Sequence, residues 1–455
     1  MSISDRLRAA EQSGGPGASA KPTVVLERSK VLDELKERAV NALFRRIGSR
    51  INDSSVSDVQ LRQFVRTELE QVLQEEHVQL GASERAALMR EIEDDALGLG
   101  PIQRLLDDEE VTEIMVNHPK QIFMEKSGKL TLAPVTFTSE AQLRRVIERI
   151  VGKVGRRIDE SSPLVDARLE DGSRVNAVIP PLAVRGSSLT IRKFSQTPWG
   201  VDDLIRFGSL TPELAEVLEL CVKGALNILV SGGTGTGKTT LLNVLSSFIP
   251  EDERIVTIED AIELKLQQDH VVQLESRPAN IEGRGEVTIR DLVKNSLRMR
   301  PDRVVIGECR SGEALDMLQA MNTGHDGSIS TLHANSPRDC VSRLETLVLM
   351  AGMDLPLRAI REQIGSAVDL IVQITRLRDG SRRITHVTEL TGIENDEPVL
   401  HDLYRFDFGA GYDIDGKPLG KVEPVGNGAH MVALLEERGV NVPPHLFANR
   451  TEEPA

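Results

Sequence analysis

The sequence predicts an α/β protein in which a mainly parallel, helix-flanked sheet follows a smaller α+β domain and a helical segment. Short strand patterns between residues 99 and 194, interrupted by a helical pattern at 139–152, predict the α+β domain. Apolar residues three and four positions apart predict helices before it. The parallel sheet is predicted from buried-strand patterns that alternate with helical ones, at 226–230, 254–258, 271–274, 303–306 and 328–332.

The bulk composition indicates the kind of protein to expect. A chain of 455 residues is long enough for two or three domains with cores of their own. Its longest apolar runs fall far short of the roughly 20 residues that a membrane span needs. The charged N-terminus lacks the apolar stretch of a secretory signal. We therefore expect a soluble, intracellular protein without a transmembrane segment.

Charge and cysteines exclude other classes. The net charge of -15 argues against a general nucleic-acid binder, although a local basic patch can lie within an acidic protein. Cys221, Cys309 and Cys340 lack the paired spacing of a disulfide framework or a zinc site.

The N-terminal region divides into a tail and helices. Residues 1–25 are rich in Gly, Ala and Ser and predict a disordered tail. Residues 26–97 predict a helical segment, with helices at 30–48, 57–77 and 83–96. Its apolar stripe on the second helix consists of Leu61, Val65, Leu69 and Val72. Two interpretations remain open, a small bundle that packs on its neighbour and a module that docks a partner.

The remaining boundaries follow from turn residues and composition. We predict an α+β domain at 98–194, a linker at 195–201, a second domain with a C-terminal extension at 202–445, and a tail at 446–455. A hairpin is predicted after residue 369. The strands expected in the α+β domain are Glu113–Val116, Gln121–Glu125, Lys129–Leu132, Arg174–Ile179 and Ser188–Lys193.

A glycine-rich motif at 232–239, GGTGTGKT, fits the pattern G-x-x-x-x-G-K-[ST] between a strand pattern and a helical pattern. The glycines let backbone N–H groups face phosphate oxygens, and the helix N-terminus favours anions. We expect Lys238 to reach the β- and γ-phosphates of ATP and the Thr239 hydroxyl to ligate Mg²⁺. The predicted nucleotide-binding residues are Gly232, Gly233, Thr234, Gly235, Thr236, Gly237, Lys238, Thr239 and Thr240.

Two later strand patterns end in acids. Residues 303–308 end in Glu308, which could orient the attacking water or act as its base. Residues 255–260 end in Glu259 and Asp260, which could hold Mg²⁺ through water or position the nucleophile. The alternative for each is a solvated strand-end carboxylate. The predicted magnesium ligands are Thr239, Glu259 and Glu308.

Histidines and arginines supply further candidates. His325 and His333 lie in a glycine-punctuated strand pattern, and a histidine near the γ-phosphate could sense hydrolysis. A structural role is the alternative. Six arginines lie between 156 and 192, and an arginine from another domain or subunit often neutralises charge in phosphoryl transfer. We expect two or three of them at most to contact nucleotide.

Four motifs in this order resemble the secretion-ATPase superfamily, which powers type II and type IV secretion and type IV pili. They are the Walker A loop at 232–239, the Asp box TIEDAIEL at 257–264, the Walker B segment RVVIGECR at 303–310, and the His box TGHDGSISTLHANS at 323–336. Residues 98–117, 156–182 and 189–194 resemble the CpaF/TadA branch, the motor of Tad (Flp) pili. That branch is also favoured because a tetracysteine zinc module and an AIRNLIRE-like helix are missing from the sequence. The resemblance spans roughly residues 30–445.

The resemblance implies a RecA-like ATPase domain and a homohexameric ring, with ATP and Mg²⁺ bound between that domain and the N-terminal one. It also implies a platform protein of the inner membrane as partner, and a cytoplasmic, peripheral position at the inner face of that membrane. By position, Lys238 and Thr239 bind phosphate and Mg²⁺, and Glu308 is the Walker B catalytic acid. The other residues that it assigns to the site are Glu259 of the Asp box, His325 and His333 of the His box, and Arg168, Arg174 and Arg192 as arginine candidates.

The predicted function is an ATP-hydrolysing motor that assembles, or also withdraws, pilus subunits. Water would attack the γ-phosphate at each subunit interface, and phosphate release would let the N-terminal domain swing about the linker. A nucleic-acid translocase or conjugation ATPase is the alternative, against which the acidic charge and the 3% aromatic content weigh. A small-molecule kinase is a third possibility. The sequence has no N-K-x-D motif, which argues against a GTPase.

Overall fold

The computed structural model describes residues 36, 38, 39, 42, 58–75, 81–126, 128–194, 199–279, 284–414 and 416–447. The predicted tail at 1–25, most of the predicted helix at 30–48 and residues 195–198 of the predicted linker lie outside this set. The chain divides into two compact units, Met1–Ser195 and Gln196–Ala455.

The first unit begins with two described helices, α1 (Asp58–Glu75) and α2 (Ala82–Ala96). Val65, Leu69 and Val72 of α1 are buried in one cluster with residues of α2, including Ile92. These three are members of the predicted apolar stripe; the side chain of Leu61, the fourth, is outside the described set. The 3.6-residue spacing therefore predicts the buried face of α1 correctly.

The rest of the first unit is a six-stranded antiparallel sheet in the order β3-β2-β1-β6-β5-β4. Its elements are α3 (Gln103–Asp107), β1 (Val111–His118), β2 (Gln121–Lys126), β3 (Lys129–Leu132), α4 (Glu140–Lys153), β4 (Leu164–Arg168), β5 (Arg174–Val178) and β6 (Ser188–Arg192). Helix α4 buries Leu143 and Ile147 against strand residues such as Ile114 and Ile191. Strand β4 was not predicted, because only Val165 among its five residues is fully buried and period-2 alternation is weak.

The second unit is built on a nine-stranded sheet in the order β15-β14-β13-β12-β7-β11-β10-β8-β9. Its strands are β7 (Ile228–Ser231), β8 (Ile255–Glu259), β9 (Val271–Glu275), β10 (Arg303–Cys309), β11 (Ile329–Leu332), β12 (Leu370–Arg376), β13 (Arg382–Glu394), β14 (Glu397–Phe406) and β15 (Val422–Pro424). Its helices are α5 (Val201–Arg206), α6 (Pro212–Lys223), α7 (Lys238–Ser246), α8 (Ile289–Ser296), α9 (Glu313–Asn322), α10 (Pro337–Leu349), α11 (Leu357–Ala367) and α12 (Ala429–Glu437).

Strand β7 lies inside the parallel part of this sheet, between β12 and β11. Ile228 and Val230 belong to the core on one face of the sheet, whereas Leu229 belongs to the core on the other. Both faces of β7 are therefore covered, as expected for a parallel strand with a continuous apolar run. Beyond β12, strands β13, β14 and β15 extend the sheet in antiparallel fashion.

These elements confirm the predicted fold class, an α/β protein with a helix-flanked parallel sheet after an α+β region. One predicted boundary is wrong. Leu446 and Phe447 are buried in the core of the second unit and do not belong to a tail, because the Tyr404 hydroxyl donates to the Leu446 carbonyl oxygen and the Tyr404 and Phe447 rings pack edge to face. Among the residues described, no helix combines the length and apolar character of a membrane span.

Candidate nucleotide-binding site

The glycine-rich loop joins the end of β7 to the start of α7. Gly235 and Gly237 have φ angles of 69° and 97°, in the left-handed region that favours glycine. A Cβ atom on Gly232 would lie 2.5 Å from the Ile374 carbonyl oxygen and 2.6 Å from Thr236 Oγ1. The loop is thus a tight turn that admits no side chain at Gly232, and it leads straight into a helix N-terminus suited to phosphate.

Lys238, the first residue of α7, lies between the loop and a strand-end acid. Its Nζ donates to the Gly233 carbonyl oxygen at 3.1 Å and is 4.0 Å from Oε1 of Glu308. The structure therefore brings together the two residues to which the sequence assigned phosphate binding and water activation.

Glu308 reaches this position through a bulge in β10. Ile306 pairs with Ser330 and Cys309 with Leu332, so Gly307 and Glu308 together face one residue of β11, Thr331. The Thr331 hydroxyl donates to the Gly307 carbonyl oxygen at 2.7 Å and holds the bulge. Bulges beside functional sites redirect side chains, which accounts for the approach of Glu308 to Lys238.

Glu259 ends the neighbouring strand β8 and is only 3% exposed. Its Oε2 accepts hydrogen bonds from the backbone N–H groups of Glu263 at 2.8 Å and Leu264 at 3.1 Å. A Cβ atom on Gly307 would lie 2.9 Å from Cγ of Glu259, so the glycine is what lets β10 and this side chain approach. One carboxylate oxygen of Glu259 thus stabilises the turn after β8, and its predicted role toward Mg²⁺ stays a prediction.

Arg310 contacts two of these acids, Glu308 and Asp260, and it was not among the site residues predicted from the sequence. Its Nε donates to Oε2 of Glu308 at 2.7 Å, and its Nη1 donates to Oδ2 of Asp260 at 3.1 Å. Burial disfavours the charged guanidinium, but the hydrogen bond and charge of Glu308 outweigh it, and the pKa of Arg310 lies above its ordinary value. A charged residue just after a strand-end acid is too common a pattern to have revealed this contact.

The two histidines lie at opposite edges of the sheet. His333 follows β11 and is exposed at the edge where the glycine-rich loop follows β7. His325 precedes β11, near Asn227, which itself precedes β7: the Ser328 hydroxyl donates to the His325 carbonyl oxygen, and the Ser328 N–H donates to Asn227 Oδ1. Within the chain, His333 and not His325 lies on the same edge of the sheet as the loop. A sensing role stays a prediction for both.

The three candidate arginines lie in the first unit. Arg168, Arg174 and Arg192 are cross-strand partners on β4, β5 and β6 and form one row. Arg192 Nε is 3.8 Å from Oε1 of Glu113. Such a row suits an anionic oxygen cluster; contact with nucleotide stays a prediction.

A second arginine that the sequence reasoning missed comes from the β12–β13 hairpin. Arg382 Nε donates to the Gly235 carbonyl oxygen at 3.0 Å, across 147 positions of sequence. Its Cδ lies 3.3 Å from the place that a Cβ of Gly237 would take. No local pattern could have predicted this contact, because it depends on how the C-terminal sheet extension pairs with β12.

The donors at this edge fit Mg²⁺ and ATP. The described residues include no group of three His, Cys, Asp or Glu side chains that could hold a metal ion. Thr239 and Glu308 offer the hydroxyl and carboxylate oxygens that Mg²⁺ prefers when phosphate oxygens supply the remaining ligands. The left-handed glycines and the start of α7 offer the cradle that a triphosphate requires.

Fold and site together define a P-loop nucleotide-binding protein with a RecA-like domain, in which β11 separates the P-loop strand β7 from the acid-bearing strand β10. The family model described as "Type II/IV secretion system protein" matches residues 95–399. The chain belongs to this family, and the predicted superfamily is confirmed.

Several relatives are named for conjugal transfer or type IV secretion. A putative conjugal transfer protein of Mycobacterium tuberculosis is 36% identical over 348 residues, covering 72% of this chain and 98% of that protein. The type IV secretion system protein PtlH of Bordetella pertussis is 37% identical over 314 residues, covering 61% and 89%. Among solved structures, the VirB11 ATPase of the Brucella suis type IV secretion system, in complex with sulphate, shows 32% identity and a TM-score of 0.35, covering 64% of this chain and 95% of that one.

Proposed function

We propose that the protein is an ATP-hydrolysing motor of a type II or type IV secretion or pilus machine, working as a homohexamer with Mg²⁺. The observation that supports this most directly is the 4.0 Å approach of Glu308 Oε1 to Lys238 Nζ beside the P-loop. A P-loop lysine contacts the β- and γ-phosphates, so a carboxylate next to it lies where water must attack.

In this mechanism Lys238 and the backbone N–H groups of the loop hold the phosphates and take up developing negative charge. Glu308 orients the attacking water and receives its proton. Mg²⁺, held by Thr239 with Glu308 and Glu259 directly or through water, would neutralise charge on the phosphates. One arginine of the row in the first unit would supply further positive charge.

Within this class we propose a motor of Tad (Flp) pili, on the cytoplasmic side of the inner membrane and coupled to a platform protein there. The support is the resemblance of residues 98–117 and 156–182 to the CpaF/TadA branch. Assembly of pilin subunits is the proposed work, with withdrawal as a second direction of the same motor.

A conjugation-type motor is the second candidate, favoured by relatives named as conjugal transfer proteins. The net charge of -15 and the 3% aromatic content weigh against a direct grip on nucleic acid. This candidate would therefore power a transfer machine without binding DNA itself. Turnover stimulated by DNA, with a steep salt dependence, would instead support the translocase.

The test is the ATPase rate per subunit as a function of protein concentration, with mass photometry on the same samples. We compare wild type, Glu308→Gln and, as matched control, Glu219→Gln, which changes a carboxylate on α6 that pairs with Lys223. The rate should rise as hexamers form, fall at least about 100-fold in Glu308→Gln, and stay within about twofold in the control.

The outcomes separate the parts of the proposal. A rate independent of concentration, from a monomer, would contradict the ring motor and favour a non-motor enzyme. A Glu308→Gln hexamer with full turnover would keep the motor but move the catalytic role to Glu259.

A further inference from the structure

Arg310 donates hydrogen bonds to one carboxylate oxygen of Glu308, and the other oxygen of that carboxylate faces the P-loop lysine. Its Nε and Nη2 both donate to Oε2 of Glu308, the first at 2.7 Å. Oε1 is the oxygen that lies 4.0 Å from Lys238 Nζ. A carboxylate that can rotate presents either oxygen to its surroundings, whereas here the guanidinium selects which one faces the phosphate side.

The same guanidinium links two neighbouring strands. Its Nη1 donates to Oδ2 of Asp260, the residue that follows β8, while Glu308 lies on β10. Strands β8 and β10 are parallel partners from Arg303–Ile255 to Ile306–Ile258, and their register stops before these acids. Arg310 therefore connects the two acidic strand ends where backbone pairing no longer does so.

The backbone of Arg310 is itself held in place. Oε1 of Glu313, a side chain on the first turn of α9, accepts hydrogen bonds from the N–H groups of Arg310 at 2.6 Å and Ser311 at 2.8 Å. Glu313 is 7% exposed, and hydrogen bonds to a buried carboxylate are strong and well oriented. The guanidinium thus extends from a fixed point toward both acids.

Stability is a poor explanation for this arrangement. The Arg310 side chain is 57% exposed, and ion pairs at that exposure contribute little to folding. Placement within an active site is a different matter, since a displacement of about 1 Å can cost about 100-fold in rate.

We propose that Arg310 is a positioning residue that fixes Glu308 and ties it to Asp260, an inference that rests on the proposed ATPase function. Arg310 does not touch the nucleotide. It acts on turnover through the placement of Glu308 Oε1.

Steady-state ATPase kinetics on the full chain, with Mg-ATP, test this role in two variants of Arg310 and a control. Arg310→Ala should lower kcat about 10- to 100-fold and leave KM within about twofold, because the lost interaction matters at the transition state only. Arg310→Lys should have a kcat between those of Arg310→Ala and wild type, since an ammonium keeps the positive charge but cannot place several N–H donors on Glu308 and Asp260 as a guanidinium does. The control Arg358→Ala, which removes an exposed ion pair with Glu362, should leave kcat unchanged within about twofold.

A double-mutant cycle with Asp260→Asn tests the link between the strands. If Arg310 works as a bridge, the double variant should be no slower than Arg310→Ala alone, because Arg310→Ala already removes the contact with Asp260 that the second substitution would remove. Thermal unfolding and binding of a fluorescent ATP analogue, measured on each variant, check that fold and nucleotide affinity are kept.

Several results would overturn the inference. A raised KM with unchanged kcat would make Arg310 a nucleotide-binding residue, a raised kcat would make it an inhibitory clamp, and additive effects with Asp260→Asn would rule out the bridge. If Glu308→Gln itself kept full turnover, the proposed catalytic role of Glu308 would fail first. If that variant lost turnover while Arg310→Ala did not, only the positioning role would fail.

Discussion

Replacing Gly307 by alanine tests the contact that brings the two strand-end acids together. The new Cβ would lie 2.9 Å from Cγ of Glu259 and 3.5 Å from its Cβ. Ordinary carbon contacts begin near 3.5 Å, so Glu259 or the bulge must move by about half an ångström. The φ angle of Gly307 is not in the left-handed region, so the cost arises from the contact and not from the backbone.

Moving Glu259 costs free energy because its buried carboxylate accepts hydrogen bonds from the backbone. Its Oε2 is bound to the N–H groups of Glu263 and Leu264, and the side chain is almost fully buried. Overpacking of this kind costs about 1–3 kcal/mol. At about 2–4 °C per kcal/mol for a domain of this size, we expect the unfolding midpoint of the P-loop unit to fall by about 4–8 °C for a loss of 2 kcal/mol. Turnover should fall as well, by about tenfold or more, because the displaced acid adjoins the bulge that presents Glu308.

Thermal unfolding and steady-state ATPase assays measure both effects, with Gly152→Ala as the control. Gly152 lies in α4, where an added Cβ meets nothing within 4 Å, so alanine there should be neutral or stabilise by up to about 1 kcal/mol. A Gly307→Ala variant with an unchanged midpoint and unchanged turnover would refute the close approach of Gly307 and Glu259.

Three further predictions concern other parts of the second unit. Arg382→Ala should weaken ATP binding about 3- to 10-fold through loss of its hydrogen bond to the P-loop. In a fluorescence titration Arg378→Ala, in the same hairpin, should have less than a twofold effect; equal effects would contradict a specific contact. Arg303→Met should lower the free energy of unfolding by about 3 kcal/mol, because Arg303 is 2% exposed and pairs with Glu253; a loss below about 1 kcal/mol in urea unfolding would be inconsistent with that pairing. Burial raises the pKa of Asp369 above its ordinary value, so the folded protein binds this proton more tightly than the unfolded chain does. The free energy of unfolding should therefore decline as the pH rises between the ordinary pKa of an aspartic acid and the raised pKa of Asp369. Asp369→Asn should flatten that decline in urea unfolding at several pH values, and an unchanged slope would argue against the shift.

The P-loop and its acids were predictable because their information is local or follows from strand direction. The glycine spacing before Lys238 specifies the turn by itself. Glu259 and Glu308 each follow an apolar strand pattern, and the carboxyl ends of parallel strands meet at one edge of a sheet. The structure places both acids at the P-loop edge for that reason.

The histidines show where this reasoning stops. His325 and His333 are close in sequence and share one motif, which favours one common location. Strand β11 lies between them, so they occupy opposite edges of the sheet. Only the residue after the strand can reach the phosphate side, a distinction that depends on strand direction and not on the motif.

Long-range pairing accounts for the rest of what was missed. Strands β14 and β15 lie in the predicted C-terminal extension, beyond the hairpin predicted after residue 369, where the sequence predicts no strand. Charged residues interrupt β14, and its place in the sheet is set by pairing with β13. The contact of Arg382 with Gly235 depends on long-range pairing in the same way. Strand β12 must pair with β7, and β13 with β12, before Arg382 lies beside the P-loop.

Strand β11 has a mechanical consequence. It is four residues long, wholly buried and paired on both sides, and it connects the edge with His333 to the edge with His325. Its length is about 13 Å at 3.3 Å per residue, and a hydrogen-bonded strand in a packed sheet does not stretch. It therefore couples the two ends of the His box rigidly: a displacement of the backbone at His333 would move the backbone that leads back to His325 with it.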